Sequence, residues 1–132
     1  MAASIAEKIQ TADWKSEKHV PVIECVDDAK AGELVNVKLT IGKEFAHPNT
    51  TEHHIRWVKA YFVPDDGKFA FDLGTFTFNA HGESTSGPNN GPIYTHHDVI
   101  FAFKTDVSGS INAVSYCNIH GLWESSKKIG MT

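Results

Sequence analysis

The sequence predicts an all-β fold, an immunoglobulin-like antiparallel β-sandwich of about seven strands preceded by a short N-terminal helix. Two observations favour this fold. Short segments that alternate between apolar and polar residues recur along the chain, and clusters of glycine, proline and aspartate separate them. With 132 residues, of which 41% are hydrophobic, the chain is long enough to bury a core as one domain, residues 1–132.

The first three elements follow from local composition. In residues 1–12, Ser4 is suited to cap a short helix. Residues 19–26 are rich in β-branched side chains, but Pro21 interrupts them, which is typical of an edge strand. Residues 35–41 alternate between Val, Leu or Ile and Asn, Lys or Thr, which is the pattern of a half-buried strand.

The later elements are separated by clear turn signals. Residues 55–63 predict a longer strand that is apolar on both faces and ends at a Pro-Asp-Asp-Gly turn, residues 64–67. Residues 69–78 and 99–103 alternate again, and a loop rich in glycine and proline at 87–92 lies between them. A turn at 106–109 leads into the last predicted strand, residues 110–117.

Charge and hydropathy restrict the class of protein. The 12 basic and 16 acidic residues give a net charge of −4, which offers no electrostatic basis for binding nucleic acid. No apolar stretch approaches the roughly 20 residues that cross a bilayer, and the N-terminus lacks the apolar run of a secretory signal. We therefore expect a cytoplasmic protein without a nucleic-acid or membrane partner. In that compartment Cys25 and Cys117 are better suited to remain thiols than to pair.

The eight histidines are the unusual feature of the composition. His47 and His53 bracket a polar segment that begins with proline, which predicts a loop that can aim both rings at one point. Cys117 and His120 follow directly on a predicted strand, and the Cys-x-x-His spacing allows a thiolate and an imidazole to bind one ion from a tight turn. Together they offer three nitrogens and one sulfur where the loops of a sandwich cluster.

Spacing alone leaves the metal open. Three histidines and one cysteine satisfy tetrahedral zinc, as in a zinc-stabilised interaction domain. If His19 joins them, four imidazoles and one thiolate exceed what structural zinc takes and suit a redox-active iron with one open position. A blue-copper site is disfavoured because it takes a weak axial ligand soon after its last histidine, whereas Met131 lies well beyond His120.

Three separated motifs carry a resemblance to a known family. They are Glu17-Lys18-His19-Val20-Pro21, His47-x5-His53 and Cys117-Asn118-Ile119-His120-Gly121-Leu122-Trp123-Glu124. In this order they resemble the signature of the superoxide reductases, and the likeness extends from Trp14 to Lys128. Because the chain has no additional four-cysteine segment, it is similar to the one-iron form called neelaredoxin.

The resemblance implies an immunoglobulin-like sandwich and a mononuclear iron that cycles between Fe²⁺ and Fe³⁺. The implied ligands are four equatorial imidazoles and one axial thiolate, from His19, His47, His53, His120 and Cys117. Glu17 matches the carboxylate that closes the open position in the ferric state, and Lys18 matches the cation beside that position. The implied reaction is one-electron reduction of superoxide to hydrogen peroxide. A rubredoxin-like protein would return the electron, and the assembly would be a homotetramer.

The remaining histidines and the second cysteine match no motif. We expect structural or surface roles for His54, His81, His96 and His97, and an inert core thiol at Cys25.

Overall fold

The computed structural model describes residues 1–132 and confirms the predicted all-β sandwich. Its eight strands form a three-stranded sheet in the order β1-β3-β6 and a five-stranded sheet in the order β2-β8-β7-β4-β5. All neighbouring strands are antiparallel except β2 and β8. The strands are β1 (Val22–Glu24), β2 (Asp28–Ala29), β3 (Val35–Thr40), β4 (Ile55–Pro64), β5 (Phe71–Thr77), β6 (Asp98–Phe103), β7 (Gly109–Cys117) and β8 (Gly121–Met131).

The hydrophobic core lies between the two sheets and follows the predicted alternation. Every second residue of β3 points inward, and the inner positions of β4 and β7 meet them from the other sheet. Leu39, Val58 and Ile111 are fully buried there. The outer face of β4 is half-buried to exposed and carries Arg56 and Lys59 beside its aromatic residues, so only the inner face is apolar throughout. β1 lies at a sheet edge, as Pro21 predicted.

The predicted N-terminal helix is wrong. Only a 3₁₀ turn forms, Ile5–Glu7, in which the Ser4 hydroxyl accepts a hydrogen bond from the Ala6 amide. The turn buries no residue, so no packing extends it. Gln10 is instead held in an extended conformation alongside β8, because its amide donates to the Leu122 carbonyl and its own carbonyl accepts from the Glu124 amide.

Two strands were not predicted, and one of them is the longest in the fold. β8 has 11 residues, of which the middle five, residues 124–128, are all glutamate, serine or lysine; Ile129 is its one fully buried side chain. Backbone pairing with β7 on one side and β2 on the other holds it in the sheet. This strand matters for function because the tight connection from β7 to β8 carries Cys117 and His120.

The structure contains no helix long and apolar enough to cross a membrane.

Candidate metal centre

Four of the predicted ligands converge at one end of the sandwich. The donor atoms of His19, His53, Cys117 and His120 all lie within 4.8 Å of one another. His19 precedes β1, His53 lies in the loop before β4, Cys117 ends β7, and His120 lies in the turn before β8. Remote stretches of the chain therefore meet because their strands end at the same edge of the fold.

His47 joins this group through its ring. Its centroid lies 4.8 Å from the rings of His19 and His53. The Nδ1–H of His47 donates to the Pro48 carbonyl over 2.7 Å, so Nε2 keeps its lone pair. Both His47 Nε2 and His53 Nε2 are buried without a hydrogen-bond partner. Buried nitrogens with a free lone pair are what a metal ion would satisfy, so the donor set fits a metal.

The turn from Cys117 to His120 is fixed by backbone contacts. Cys117 is fully buried, and its sulfur lies 3.4 Å from the amide nitrogen of His120, which donates to it. Gly121 follows with φ of 84°, a conformation that side chains rarely adopt. Asn118 ties this turn to the other ligand loop, because its side-chain oxygen accepts from the His54 amide over 2.9 Å.

Glu17 contacts a candidate ligand directly. One carboxylate oxygen lies 2.7 Å from His19 Nδ1 and accepts from the His19 amide over 3.1 Å. Partial burial raises the pKa of the Glu17 carboxyl, but the hydrogen bonds from His19 and the charges of His19 and Lys18 outweigh it and bring the pKa below its usual value. The carboxylate thus orients the His19 ring so that Nε2 faces the other ligands, 3.1 Å from His120 Nδ1.

Lys18 lies beside the same centre and is half-buried. With Glu17, Glu44 and Phe45 it lines a cleft of about 550 Å³, in which it is the one cation and which adjoins the ligand His19 through the chain. His120 is exposed and His53 is half-buried, so the group of ligands reaches the protein surface. A small anion in solution can therefore approach the centre past a lysine side chain.

Two residues that support the centre come from opposite ends of the chain. The Trp123 ring stacks on the His19 ring at 4.9 Å, and its Nε1–H donates to the His120 carbonyl over 3.3 Å. The same carbonyl accepts from the Gln10 side chain over 3.0 Å. The sequence did not indicate Gln10 as a supporting residue, because residues 1–12 were interpreted as a helix.

The other histidines are mostly internal. His54 and His81 are buried and stacked on each other, with ring centroids 3.5 Å apart. His97 is buried and its ring lies edge-on to His47 at 5.8 Å, whereas His96 is exposed. Cys25 follows β1, and partial burial raises the pKa of its thiol, in keeping with an inert role.

Three of the candidate ligands, His19, His47 and His53, have a pKa below the ordinary value of histidine. Burial lowers the pKa of His47 to about 3, against the opposing effect of its hydrogen bond to Pro48. Burial also lowers the pKa of His53 and of His19, in the latter case against the hydrogen bond to Glu17. Neutral imidazole is the form that binds a metal, so these rings need not lose a proton when an ion enters.

We expect acid to destabilise the metal-free protein. Burial lowers the pKa of His97 to about 4 and that of His47 to about 3, from an ordinary value of 6.5. Between pH 6.5 and about 4 the unfolded chain binds both protons and the folded chain does not. The free energy of unfolding therefore falls as the pH is lowered, by up to about 1.4 kcal/mol per pH unit for each histidine. Urea unfolding of the metal-free protein at pH 7 and pH 5 measures this loss.

A matched pair of variants isolates the contribution of His97. His97→Gln removes a buried histidine and is expected to make the dependence on pH shallower. His96→Gln removes an exposed neighbour whose effect on the pKa of His97 is smaller than that of burial, so it is expected to change the dependence much less. Equal pH dependence in His97→Gln and the unmodified chain would contradict the assignment.

The fold and the convergent donor set define an all-β metal-binding protein. A family model described as Desulfoferrodoxin matches residues 11–126. The chain therefore belongs to the desulfoferrodoxin family.

Full-length relatives agree with this family. Neelaredoxin from Megalodesulfovibrio gigas is 54% identical over 127 residues, which cover 96% of this chain and 98% of that protein. A superoxide reductase from Pyrococcus furiosus is 53% identical over 121 residues, which cover 92% and 95% of the two chains. The solved structure of superoxide reductase (neelaredoxin) from Archaeoglobus fulgidus in the reduced form superimposes with a TM-score of 0.86 at 51% identity, covering 92% and 98% of the two chains.

Proposed function

We propose that this protein is a superoxide reductase, an oxidoreductase that reduces superoxide by one electron to hydrogen peroxide. The observation that carries the proposal is the convergence of four imidazoles and one thiolate at a surface-reaching end of the sandwich. Relatives named superoxide reductase, more than half identical over nearly the whole chain, support it. In the balanced reaction, superoxide takes up one electron and two protons, and an external donor supplies the electron.

We propose iron as the metal, held by His19, His47, His53, His120 and Cys117. When bound, it supplies a one-electron couple between Fe²⁺ and Fe³⁺. Four imidazoles without charge and one anionic thiolate are a donor set of mixed softness that suits this couple better than a closed structural zinc site. Burial of Cys117 keeps bulk water from the sulfur, and the His120 amide donates a hydrogen bond to it.

Lys18 and Glu17 act on the substrate side in this proposal. The Lys18 ammonium attracts the superoxide anion into the cleft and stabilises negative charge on its oxygens. Glu17 holds the His19 ring through its contact with Nδ1. By the resemblance we also propose that this carboxylate would be available as a further anionic ligand to the oxidised metal. The exposed face allows water to deliver the two protons that the product needs.

The resemblance to superoxide reductases also supports proposals about the electron donor, the assembly and the location of the protein. We propose a rubredoxin-like electron donor, a homotetrameric assembly and a cytoplasmic location.

Metal content, visible spectra and turnover test the proposal together. Protein loaded with Fe²⁺ is expected to hold about one iron per chain and to show, when oxidised, a thiolate-to-iron band in the visible range that bleaches on reduction. Superoxide should be consumed without evolution of oxygen and only while an electron donor is present. A colourless protein that takes up zinc in preference to iron, or consumption that evolves oxygen without a donor, would contradict the proposal.

A further inference from the structure

The loop that carries two of the proposed ligands belongs to no strand. This ligand loop, residues 47–54, runs from His47 to the start of β4. Within it, the Thr50 amide and hydroxyl both donate to the His53 carbonyl. The loop also closes on itself because the His53 amide donates to the Thr50 hydroxyl and the His54 ring donates to the Thr50 carbonyl. Thr51 and Glu52 take part in none of these bonds, so this part of the loop depends on contacts from outside it.

A second loop supplies contacts from outside. This support loop, residues 78–95, lies between β5 and β6 and carries none of the proposed ligands. The Thr51 hydroxyl donates to the His81 carbonyl over 2.6 Å, and the Asn49 side chain donates to the Thr95 carbonyl over 3.0 Å. The support loop thus meets the ligand loop at two residues that lie between His47 and His53.

Asn89 makes the densest set of these contacts. Its side-chain oxygen accepts from the backbone amide of Thr51 over 2.8 Å, and its backbone amide donates to the Thr51 hydroxyl over 3.2 Å. Its Nδ2 donates to both carboxylate oxygens of Glu52, at 3.1 and 2.9 Å. Asn89 is the one residue other than glycine with a positive φ, 62°, which turns its side chain and amide toward the same loop.

We propose that Asn89 is a positioning residue that holds the ligand loop in its metal-binding conformation before the metal arrives. The inference rests on the proposed function, in which His47 and His53 are ligands. Because the contacts of Asn89 are with Thr51 and Glu52, it acts on the ligands through the path of the backbone between them. A loop that is already ordered loses little conformational freedom when an ion binds, so the ion is held more tightly.

The neighbouring residue provides a matched control. Asn90 is the same residue type and is also exposed, but its side chain donates to the Ser86 carbonyl within the support loop and makes no hydrogen bond to the ligand loop. Glycine at position 89 accepts the positive φ, so Asn89→Gly removes the side-chain contacts without backbone strain. Asn90→Gly removes a neighbouring asparagine side chain and leaves the contacts of Asn89 in place.

Two measurements test the inference. In Asn89→Gly without metal, the Thr51 amide is expected to exchange its hydrogen at least about 10-fold faster, because it has lost its acceptor. After loading with Fe²⁺, transfer of the metal to a chelator is expected to be about 10- to 100-fold faster than in the unmodified protein, the range typical of lost outer contacts. Asn90→Gly should match the unmodified protein in both.

Asn89→Asp provides a rescue experiment. It retains an acceptor for the Thr51 amide but places a second carboxylate beside Glu52, so exchange at Thr51 should be largely restored while metal release stays faster and slows at high salt. Equal exchange and equal metal release in Asn89→Gly and Asn90→Gly would overturn the inference. If the unmodified protein binds no Fe²⁺, the proposed function fails, while hydrogen exchange in the metal-free variants still decides the role of Asn89.

Discussion

Cys117→Ser is expected to lower superoxide turnover by at least about 100-fold and to abolish the thiolate-to-iron band. This loss is larger than the one typical of removing a residue that only contacts a ligand. A serine hydroxyl stays protonated near neutral pH, so the variant loses the anionic sulfur that donates electron density to the metal. The substitution is close to isosteric in a fully buried site, and the His120 amide still has an acceptor. We therefore expect the fold to persist with the chemistry removed.

Visible spectra of the oxidised protein and stopped-flow consumption of superoxide measure the two effects. The chain offers its own control, because Cys25→Ser changes the second thiol, which follows β1 and packs against the core. The Cys25→Ser variant is expected to keep both the thiolate-to-iron band and the rate of superoxide consumption. Retention of the band and of full activity in Cys117→Ser would contradict the assignment of the sulfur as a ligand.

The sequence predicted the residues of the candidate metal centre, but it did not predict β8, the longest strand. Alternation between apolar and polar residues predicted β3, and a long apolar run that ends at a turn predicted β4, because their inner faces form the core. We did not predict β8 because residues 124–128 are all glutamate, serine or lysine and show no alternation between apolar and polar side chains. Backbone pairing with two neighbours holds it, and such pairing depends on strands that are remote in sequence.

The same reason explains which parts of the site were missed. The residues that offer metal-binding atoms have recognisable types and spacings, so His47, His53, Cys117 and His120 could be named from the chain alone. Gln10 and Asn89 support the site through amide groups, and amides occur on many surfaces without any role. Gln10 reaches the His120 carbonyl because the N-terminal segment runs alongside β8. That contact becomes predictable only when β8 is known.

The approach of the substrate depends on a local charge that opposes the charge of the whole chain. With a net charge of −4, the protein as a whole repels an anion. Lys18 adjoins the ligand His19 in the chain and is the one cation that lines the neighbouring cleft, together with Glu17 and Glu44. Charges farther apart than a Debye length, about 8 Å at physiological ionic strength, are largely screened, so a nearby cation acts on the substrate more strongly than remote charges do. Capture of superoxide is therefore expected to depend on this one lysine rather than on the total charge.

Lys18→Ala is expected to slow the second-order reaction with superoxide about 10-fold and to leave the metal bound. Salt screens the attraction in the unmodified protein, so its rate should fall as ionic strength rises. In the variant the remaining net charge is more negative, so the dependence should flatten or reverse. Lys15→Ala removes the same charge from an exposed lysine next to Trp14 and should have a much smaller effect. Equal slowing in both variants, measured by pulse radiolysis across a salt series, would show that total charge rather than the position of Lys18 governs capture.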